Sequence, residues 1–178
     1  MIVLGIDPGS RRCGYGVVQR SGSRLVALSA GAIEPGDLPL AERLARLLDG
    51  LQAVIARSRA DAVSVESAFC GASARSALVL GQARGVALAA AARAGLPVFE
   101  YAPAEVKRAF TGSGSARKAQ MIRSARMLLG VEAACADEAD ALAAAVCHLA
   151  RRVALPPPRR AEARAALRPA VRRYGAAR

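Results

Sequence analysis

The hydrophobic pattern of this chain first changes its period near residue 40, and that change limits the folds open to it. Before residue 40, short apolar runs at residues 2–6, 14–18 and 25–33 predict three β-strands. Pro8-Gly9 forces a turn after the first strand. From residue 40 to residue 58 the apolar side chains recur at helical spacing instead. The pattern therefore predicts an antiparallel meander of three strands followed by a helix.

The remainder of the chain alternates between short apolar runs and longer helical patterns. Strands are predicted at residues 62–66 and 97–101, and helices at residues 73–94, 103–110, 115–129 and 136–152. This order is typical of an α/β fold. With 178 residues and 53% hydrophobic content, the chain can bury one sizeable core. We expect a single globular domain over residues 1–152 and a tail over residues 153–178.

Four carboxylates lie at positions that such a fold brings together. Asp7 ends the first strand and Glu66 ends the fourth. Asp137 and Asp140 are one helical turn apart, hence neighbours on one face of the last helix. Each has a simpler explanation when taken alone, namely a turn residue, a solvated strand end, and acids that favour the helix macrodipole. Taken together, they predict a shared cation site.

The type of ligand predicts the type of metal. Oxygen ligands without histidine or cysteine favour Mg²⁺ or Mn²⁺ over zinc or copper. The four cysteines form no CxxC pair, and one histidine, His148, cannot complete a zinc site. In a two-metal site one ion activates water while the other stabilises the leaving oxygen of a phosphodiester. We expect two Mg²⁺ ions per site, with Mn²⁺ as a substitute.

The charge of the chain points to a polyanionic partner. There are 26 Lys and Arg residues against 14 Asp and Glu, which gives a net charge of +12. Residues 151–178 hold nine Arg and one Glu, so much of this charge lies in the tail. The tail is rich in Arg, Pro and Ala, which is typical of a flexible arm that adds non-specific phosphate affinity. A solvated tail with no specific role is the alternative.

Three further residues are candidates for contacts with nucleic acid. The only two lysines, Lys107 and Lys118, flank the glycine-containing loop at residues 112–114, and a lysine suits a single phosphate oxygen. Two lysines can also persist by chance in an arginine-biased composition. Phe69, in the loop after Glu66, can stack on an unpaired base or pack beneath its own loop.

The chain also resembles a known family. It contains, in order, the motifs GIDPGSRRCGYGVV, VESAF, SALVLGQARGVA, PVFEYAPAEVK and ADEADALAAA. Together these resemble the RuvC family of Holliday junction resolvases over residues 1–152. The resemblance implies an RNase H-like fold, with a five-stranded mixed sheet flanked by helices, and the four acids as metal-binding catalytic residues. It also implies that Lys107, Lys118 and Phe69 contact DNA. Ser67 departs from the glutamine that some relatives carry.

The resemblance further implies an activity in DNA recombination and repair. A homodimer would nick two symmetry-related strands of a four-way junction, leaving 5′-phosphate and 3′-hydroxyl ends. RuvA and RuvB branch-migration proteins would be its partners in the bacterial cytoplasm, and no apolar stretch is long enough to predict a membrane span. Two alternatives remain at this point: a non-catalytic junction-binding protein and a general RNase H-like nuclease.

Overall fold

The computed structural model describes residues 1–67 and 73–151 of the chain, and a five-stranded mixed sheet runs through its centre. The strand order is β3-β2-β1-β4-β5. The first three strands form an antiparallel meander, and β4 and β5 run parallel to β1. The strands are β1 (Ile2–Asp7), β2 (Cys13–Ser21), β3 (Arg24–Ile33), β4 (Ala62–Glu66) and β5 (Val98–Tyr101). The expected five-stranded mixed sheet is confirmed.

Five helices cover the two faces of this sheet. They are α1 (Leu40–Ser58), α2 (Ala74–Arg93), α3 (Pro103–Thr111), α4 (Lys118–Leu129) and α5 (Ala136–Arg151). Helices α1 and α2 share one hydrophobic core with Leu4 and Ile6 of β1. The other three helices share a second core with Val3 on the opposite face. Alternation along β1 therefore divides the molecule into two helical layers around the sheet.

Helix α5 is buried on all sides over residues 141–149. Every residue from Ala141 to Leu149 is buried, including His148. Small alanine side chains let α5 lie on the sheet while α3 and α4 cover its outer side. An alanine-rich helix can be buried all round without a strong apolar stripe.

The start of α4 was also predicted wrongly. The helix begins at Lys118, whereas the pattern placed its start at residue 115. Residues 113 to 117 instead form a turn in which Ala116 N donates to Ser113 O. Arg117 is extended, and its backbone N–H donates to the Gln120 side chain. Serine and glycine favour such local hydrogen bonds over a first helical turn.

Candidate metal-dependent active site

Asp7 and Glu66 lie on the same face of the sheet, at the ends of two adjacent parallel strands. Gly5 of β1 is in register with Ser64 of β4, and both face α5. The Ser64 hydroxyl donates to the Ala144 carbonyl at 2.7 Å. Because side chains two residues apart share a face, Asp7 and Glu66 face α5 as well.

The N-terminal turn of α5 brings the two aspartates to this strand edge. Gly14 is paired with Asp7 across β1 and β2, and a Cβ added at Gly14 would lie 2.0 Å from the Asp137 carbonyl oxygen. A Cβ at Gly5 would lie 1.9 Å from the Ala141 carbonyl oxygen. Side chains at these two positions would hold α5 away from the sheet. The glycines thus bring Asp137 and Asp140 towards Asp7, and the sequence analysis did not identify them.

The electrostatics shows that the four acids share one environment, which we call the carboxylate cluster: Asp7, Glu66, Asp137 and Asp140. Burial, followed by repulsion from the other three members, raises the pKa of Asp7 to about 8. Burial and then Asp140 raise the pKa of Glu66 to about 7. Burial is also the largest cause of the raised pKa of Asp140. The predicted convergence of strand ends with the last helix is therefore present in the structure.

The two lysines lie close enough to act on this cluster. Lys107 on α3 lowers the pKa of both Glu66 and Asp140, against the larger effect of burial. Lys118, the first residue of α4, lowers the pKa of Asp7 and Asp140 in the same way. Both cations therefore border the carboxylate cluster from the side of α3 and α4. Phe69, the third predicted contact, lies outside the described residues.

Other side chains around the cluster were missed or misread by the sequence analysis. Arg12 forms an ion pair with Glu34 and lies 3.7 Å, Nε to Oδ2, from Asp137. Glu138 accepts a hydrogen bond through its side chain from Ala134 N at 2.9 Å, before the start of α5. Ser67 donates through its hydroxyl to the Tyr101 carbonyl at 3.1 Å, which extends the contact between β4 and β5 beyond Glu66. The two arginines that follow the DPGS turn were the sequence feature that could have identified Arg12 as a neighbour of the cluster.

A cavity of about 120 Å³ opens beside Asp7 and Glu66. Leu80 and Arg84 of α2 line one side of it, and Pro103 lines another. Arg84 is held by an ion pair with Glu100 of β5. His148 lies apart from these walls, because its ring packs on Phe99 and its Nδ1 is 2.7 Å from the Tyr101 hydroxyl.

The donor set fits a hard divalent cation. Its groups are carboxylate oxygens, and their raised pKa values show that uncompensated negative charge is disfavoured there. Within residues 1–67 and 73–151, no group of three or more acid, histidine or cysteine side chains forms a ready-made cage. Mg²⁺ does not need one, since it commonly binds through one or two carboxylates, waters and substrate phosphates.

Comparison with known proteins identifies strong sequence relatives. The family described as "Crossover junction endodeoxyribonuclease RuvC" matches residues 3–148. A protein of that name from Anaeromyxobacter dehalogenans strain 2CP-1 is 74% identical over 152 residues, which is 85% of this chain and 82% of the relative. The match thus spans all strands and nearly all of α5.

Solved structures agree with the sequence relatives. The structure described as T. thermophilus RuvC in complex with Holliday junction substrate is 36% identical, with a TM-score of 0.77. The match covers 84% of this chain and 93% of that chain. A yeast mitochondrial Holliday junction resolvase is similar in fold, with a TM-score of 0.58 at 14% identity over 82% of this chain and 76% of that chain.

Proposed function

The chain belongs to the RuvC family and is a crossover junction endodeoxyribonuclease that resolves Holliday junctions, and from this premise we propose that the carboxylate cluster is its catalytic centre. The observation that supports the assignment most directly is the meeting of four acids from β1, β4 and α5 at one edge of the RNase H-like sheet. Nothing else in the described chain combines buried acids with flanking lysines.

Enzymes of this family are metal-dependent nucleases, and we propose Mg²⁺ as the ion, with two ions per site and Mn²⁺ able to substitute. The ions would supply an activated water and stabilise the leaving oxygen. The carboxylate cluster would hold them, and the raised pKa values of Asp7 and Glu66 support this because a bound cation removes the repulsion. Before metal can bind, Asp7 and Glu66 must lose the protons that they hold near neutral pH.

The remaining predicted residues act on the DNA strand. Lys107 and Lys118 are placed to contact phosphate oxygens next to the carboxylate cluster, which fixes the strand without selecting a base sequence. Phe69 is proposed to stack on a base at the junction centre. The proposed products are symmetric nicks that carry 5′-phosphate and 3′-hydroxyl ends.

We propose that the active unit is a homodimer joined through α2. The buried residues of this helix, Ala83, Ala87, Ala90 and Ala91, lie on one side. The opposite side carries Leu78, which is 65% exposed, together with exposed Gly81, Gly85 and Ala89. An exposed helix side made of small or apolar, uncharged residues is unusual in contact with water. A two-fold dimer would present two copies of one site, which matches the symmetry of a four-way junction.

The cellular setting is proposed on the same basis. RuvA and RuvB branch-migration proteins would be partners, and the bacterial cytoplasm the location. None of the described helices is long and apolar enough to cross a membrane. The division into a nuclease domain, residues 1–152, and a basic tail, residues 153–178, also remains a proposal.

The experiment that tests the site compares wild type with Asp7→Asn on a labelled four-way junction and on a matched linear duplex, with Mg²⁺, with Mn²⁺ and with chelator. Wild type is expected to make paired, ligatable nicks in the junction only, and only with metal. Asp7→Asn should bind the junction but cleave at least about a thousandfold more slowly, since metal stabilisation of the transition state is worth several kcal/mol. Wild-type rates in Asp7→Asn would show that the site is assigned wrongly.

A further inference from the structure

A second basic surface lies beside the carboxylate cluster, on the side away from the lysines. It is an open groove of about 440 Å³ that we call the arginine groove, after Arg11, Arg43 and Arg75 in its walls. Ser10 and Ser76 add hydroxyl groups, and Val79 and Leu80 form its apolar part. Among the described residues, its walls contain no acidic side chain. We infer that the arginine groove binds backbone phosphates of a DNA arm that leaves the cleavage site.

The three arginines come from separate parts of the fold. Arg11 is in the turn between β1 and β2, Arg43 is in the first turns of α1, and Arg75 is in the first turn of α2. Residues so distant in sequence would not gather three like charges without a counter-charge, because like charges repel. A polyanion that lies along the groove supplies that counter-charge.

Within the described chain, the three groove arginines form no ion pairs with carboxylates. Throughout residues 1–67 and 73–151, ion pairs with carboxylates involve Arg12, Arg84, Arg126 and Arg151 and none of the three groove arginines. The Nε of Arg43 is buried and has no hydrogen-bond acceptor in the same part of the chain. Arg11 and Arg75 are exposed. Guanidinium groups that are free to donate form strong, directed hydrogen bonds to phosphate.

The groove adjoins the proposed catalytic centre. Leu80 lines both the arginine groove and the cavity that contains Asp7 and Glu66. Ser10 and Arg11 follow Asp7 in the same turn. The carboxylate cluster thus has lysines on the α3 and α4 side and arginines on the α1 and α2 side. A strand held at the cluster would pass from one basic surface to the other.

The form of the groove favours a DNA backbone over a small free anion. A free phosphate is best held in an enclosed site, whereas this groove is open and its charges are spread over three elements. The N-terminus of α2, a helix of 20 residues, adds partial positive charge beside Arg75. Because phosphate contacts carry no base information, the groove would set the position of the arm and not the sequence cut.

The inference rests on the proposed function and is tested by the salt dependence of junction binding. A labelled four-way junction is titrated in chelator, at roughly 50 to 200 mM salt, with wild type and with the triple variant Arg11→Ala, Arg43→Ala, Arg75→Ala. Loss of three phosphate contacts should lower the slope of log affinity against log salt by about 2.7. The affinity gap between the two proteins should therefore narrow about 40-fold over that salt range.

Arg24→Ala is the matched control, since it removes the same charge at the far end of the β2–β3 hairpin. It should leave the slope almost unchanged. Lysine at the three positions should largely preserve the slope, because the charges remain. If the triple variant does not fold, Arg11→Ala with Arg75→Ala changes exposed side chains only and should lower the slope by about 1.8. A slope equal to that of Arg24→Ala would overturn the inference.

Cleavage by the same preparations separates this inference from the proposed function. With Mg²⁺, the wild type and the Arg24→Ala control should both nick the junction, because the carboxylate cluster is intact in both and Arg24 lies outside the groove. Wild-type nicking together with an unchanged slope in the variants would overturn only the arginine groove. Absence of nicking by the wild type would overturn the catalytic proposal. Inorganic phosphate that binds the groove without competing against DNA would also count against the inference.

Discussion

Asp7 occupies a position where burial and three neighbouring carboxylates all oppose its negative charge. Its pKa of about 8 means that the metal-free protein holds a proton there at neutral pH. A proton and a metal ion therefore compete for the same oxygens, and each metal ion that binds must displace protons. Repulsion within the carboxylate cluster would be relieved by the cation that we propose it binds.

This repulsion predicts how the stability of the metal-free protein depends on pH. Asp7 has a pKa of 3.8 when unperturbed and about 8 in the folded chain, so the folded state holds more protons between these values. The contribution of Asp7 to stability should be greatest below about pH 4 and should be lost as pH rises from 4 to about 8. In chelator at pH 8.5, the unfolding free energy of Asp7→Asn should be higher than that of wild type by on the order of 2 kcal/mol. One pKa unit corresponds to about 1.4 kcal/mol, and solvent screens part of the repulsion.

Thermal unfolding in chelator at several pH values measures this difference. The gap between Asp7→Asn and wild type should close towards pH 4, where both side chains are uncharged. Asp49→Asn, at an exposed position of α1, is the control and should show no comparable gain. Equal stability of Asp7→Asn and wild type at pH 8.5 would mean that the acids do not repel as described.

At the scale of elements, the site depends on how closely α5 approaches the sheet. At Gly5, Gly14 and Gly16 the first two strands place no side chain between their backbone and this helix. Gly16 meets Leu142, so the contact continues along α5 beyond Asp137 and Asp140. The position of Asp137 and Asp140 is therefore determined by the absence of side chains on β1 and β2.

Gly14→Ala tests whether the site depends on this close approach of α5 to the sheet. Its Cβ would lie 2.0 Å from a backbone oxygen of Asp137, so the first turn of α5 must move. We expect a loss of about 1–3 kcal/mol in unfolding free energy, as for other overpacked sites. Single-turnover cleavage should fall at least about tenfold, because misplacing a catalytic group by about 1 Å has large effects on rate. Gly50→Ala, whose Cβ would meet only the Ile33 side chain, should keep the wild-type rate. A wild-type rate in Gly14→Ala would contradict the proposal that the close approach of α5 to the sheet positions Asp137 and Asp140.

Helix α2 supports a second prediction at this scale. Gly81 and Gly85 have no atoms within 4 Å of an added Cβ, so packing within the described chain does not require glycine at either position. Gly85→Leu should therefore preserve the fold of each subunit while it overpacks the proposed dimer interface. About 1–3 kcal/mol at each of two symmetry-related positions should raise the dimer dissociation constant at least about 30-fold.

Sedimentation velocity over a range of protein concentrations measures this change in association. Ala45→Leu, a similar enlargement at an exposed position of α1, is the control. It should give the same distribution of sedimentation coefficients as wild type. Circular dichroism checks that Gly85→Leu is folded. A folded Gly85→Leu protein that dimerises like wild type would remove α2 from the interface.

The elements were largely predictable from the sequence, whereas the contacts between them were not. The change of hydrophobic period located all five strands and all five helices, because periodicity is a local property. The convergence of Asp7 and Glu66 followed from the rule that parallel strands end at one edge. The ion pair of Arg12 with Glu34 and the contact of Gly14 with Asp137 join residues distant in sequence. No local pattern encodes such pairs, and a helix as rich in alanine as α5 gives no clear facing stripe.

At the scale of the whole molecule, positive charge is distributed unevenly. The chain carries +12 overall, and residues 151–178 hold nine of its arginines with a single acid. The sheet, the five helices and the carboxylate cluster all lie within residues 1–151. Attraction to any DNA and selection of a junction can therefore depend on different parts of the chain.

Deletion of residues 154–178 tests this separation. The deletion removes seven Arg and one Glu but none of the described core, so the shortened protein should keep its fold and its Mg²⁺-dependent nicking at saturating protein. Affinity for junction and for linear duplex should both fall, and the salt slope should decrease by about 0.9 for each arginine that contacts phosphate. We expect selection of the junction to depend on residues 1–151, so the ratio of the two affinities should be retained. A full-length variant with glutamine in place of the seven arginines is the control for chain length and should behave like the deletion. Loss of folding, or a salt slope equal to that of wild type, would show that the tail does not act as a basic arm.

Since the arginine groove would still be intact in the shortened protein, the groove substitutions should lower its remaining slope further, and the two contributions should add because they arise from separate phosphate contacts.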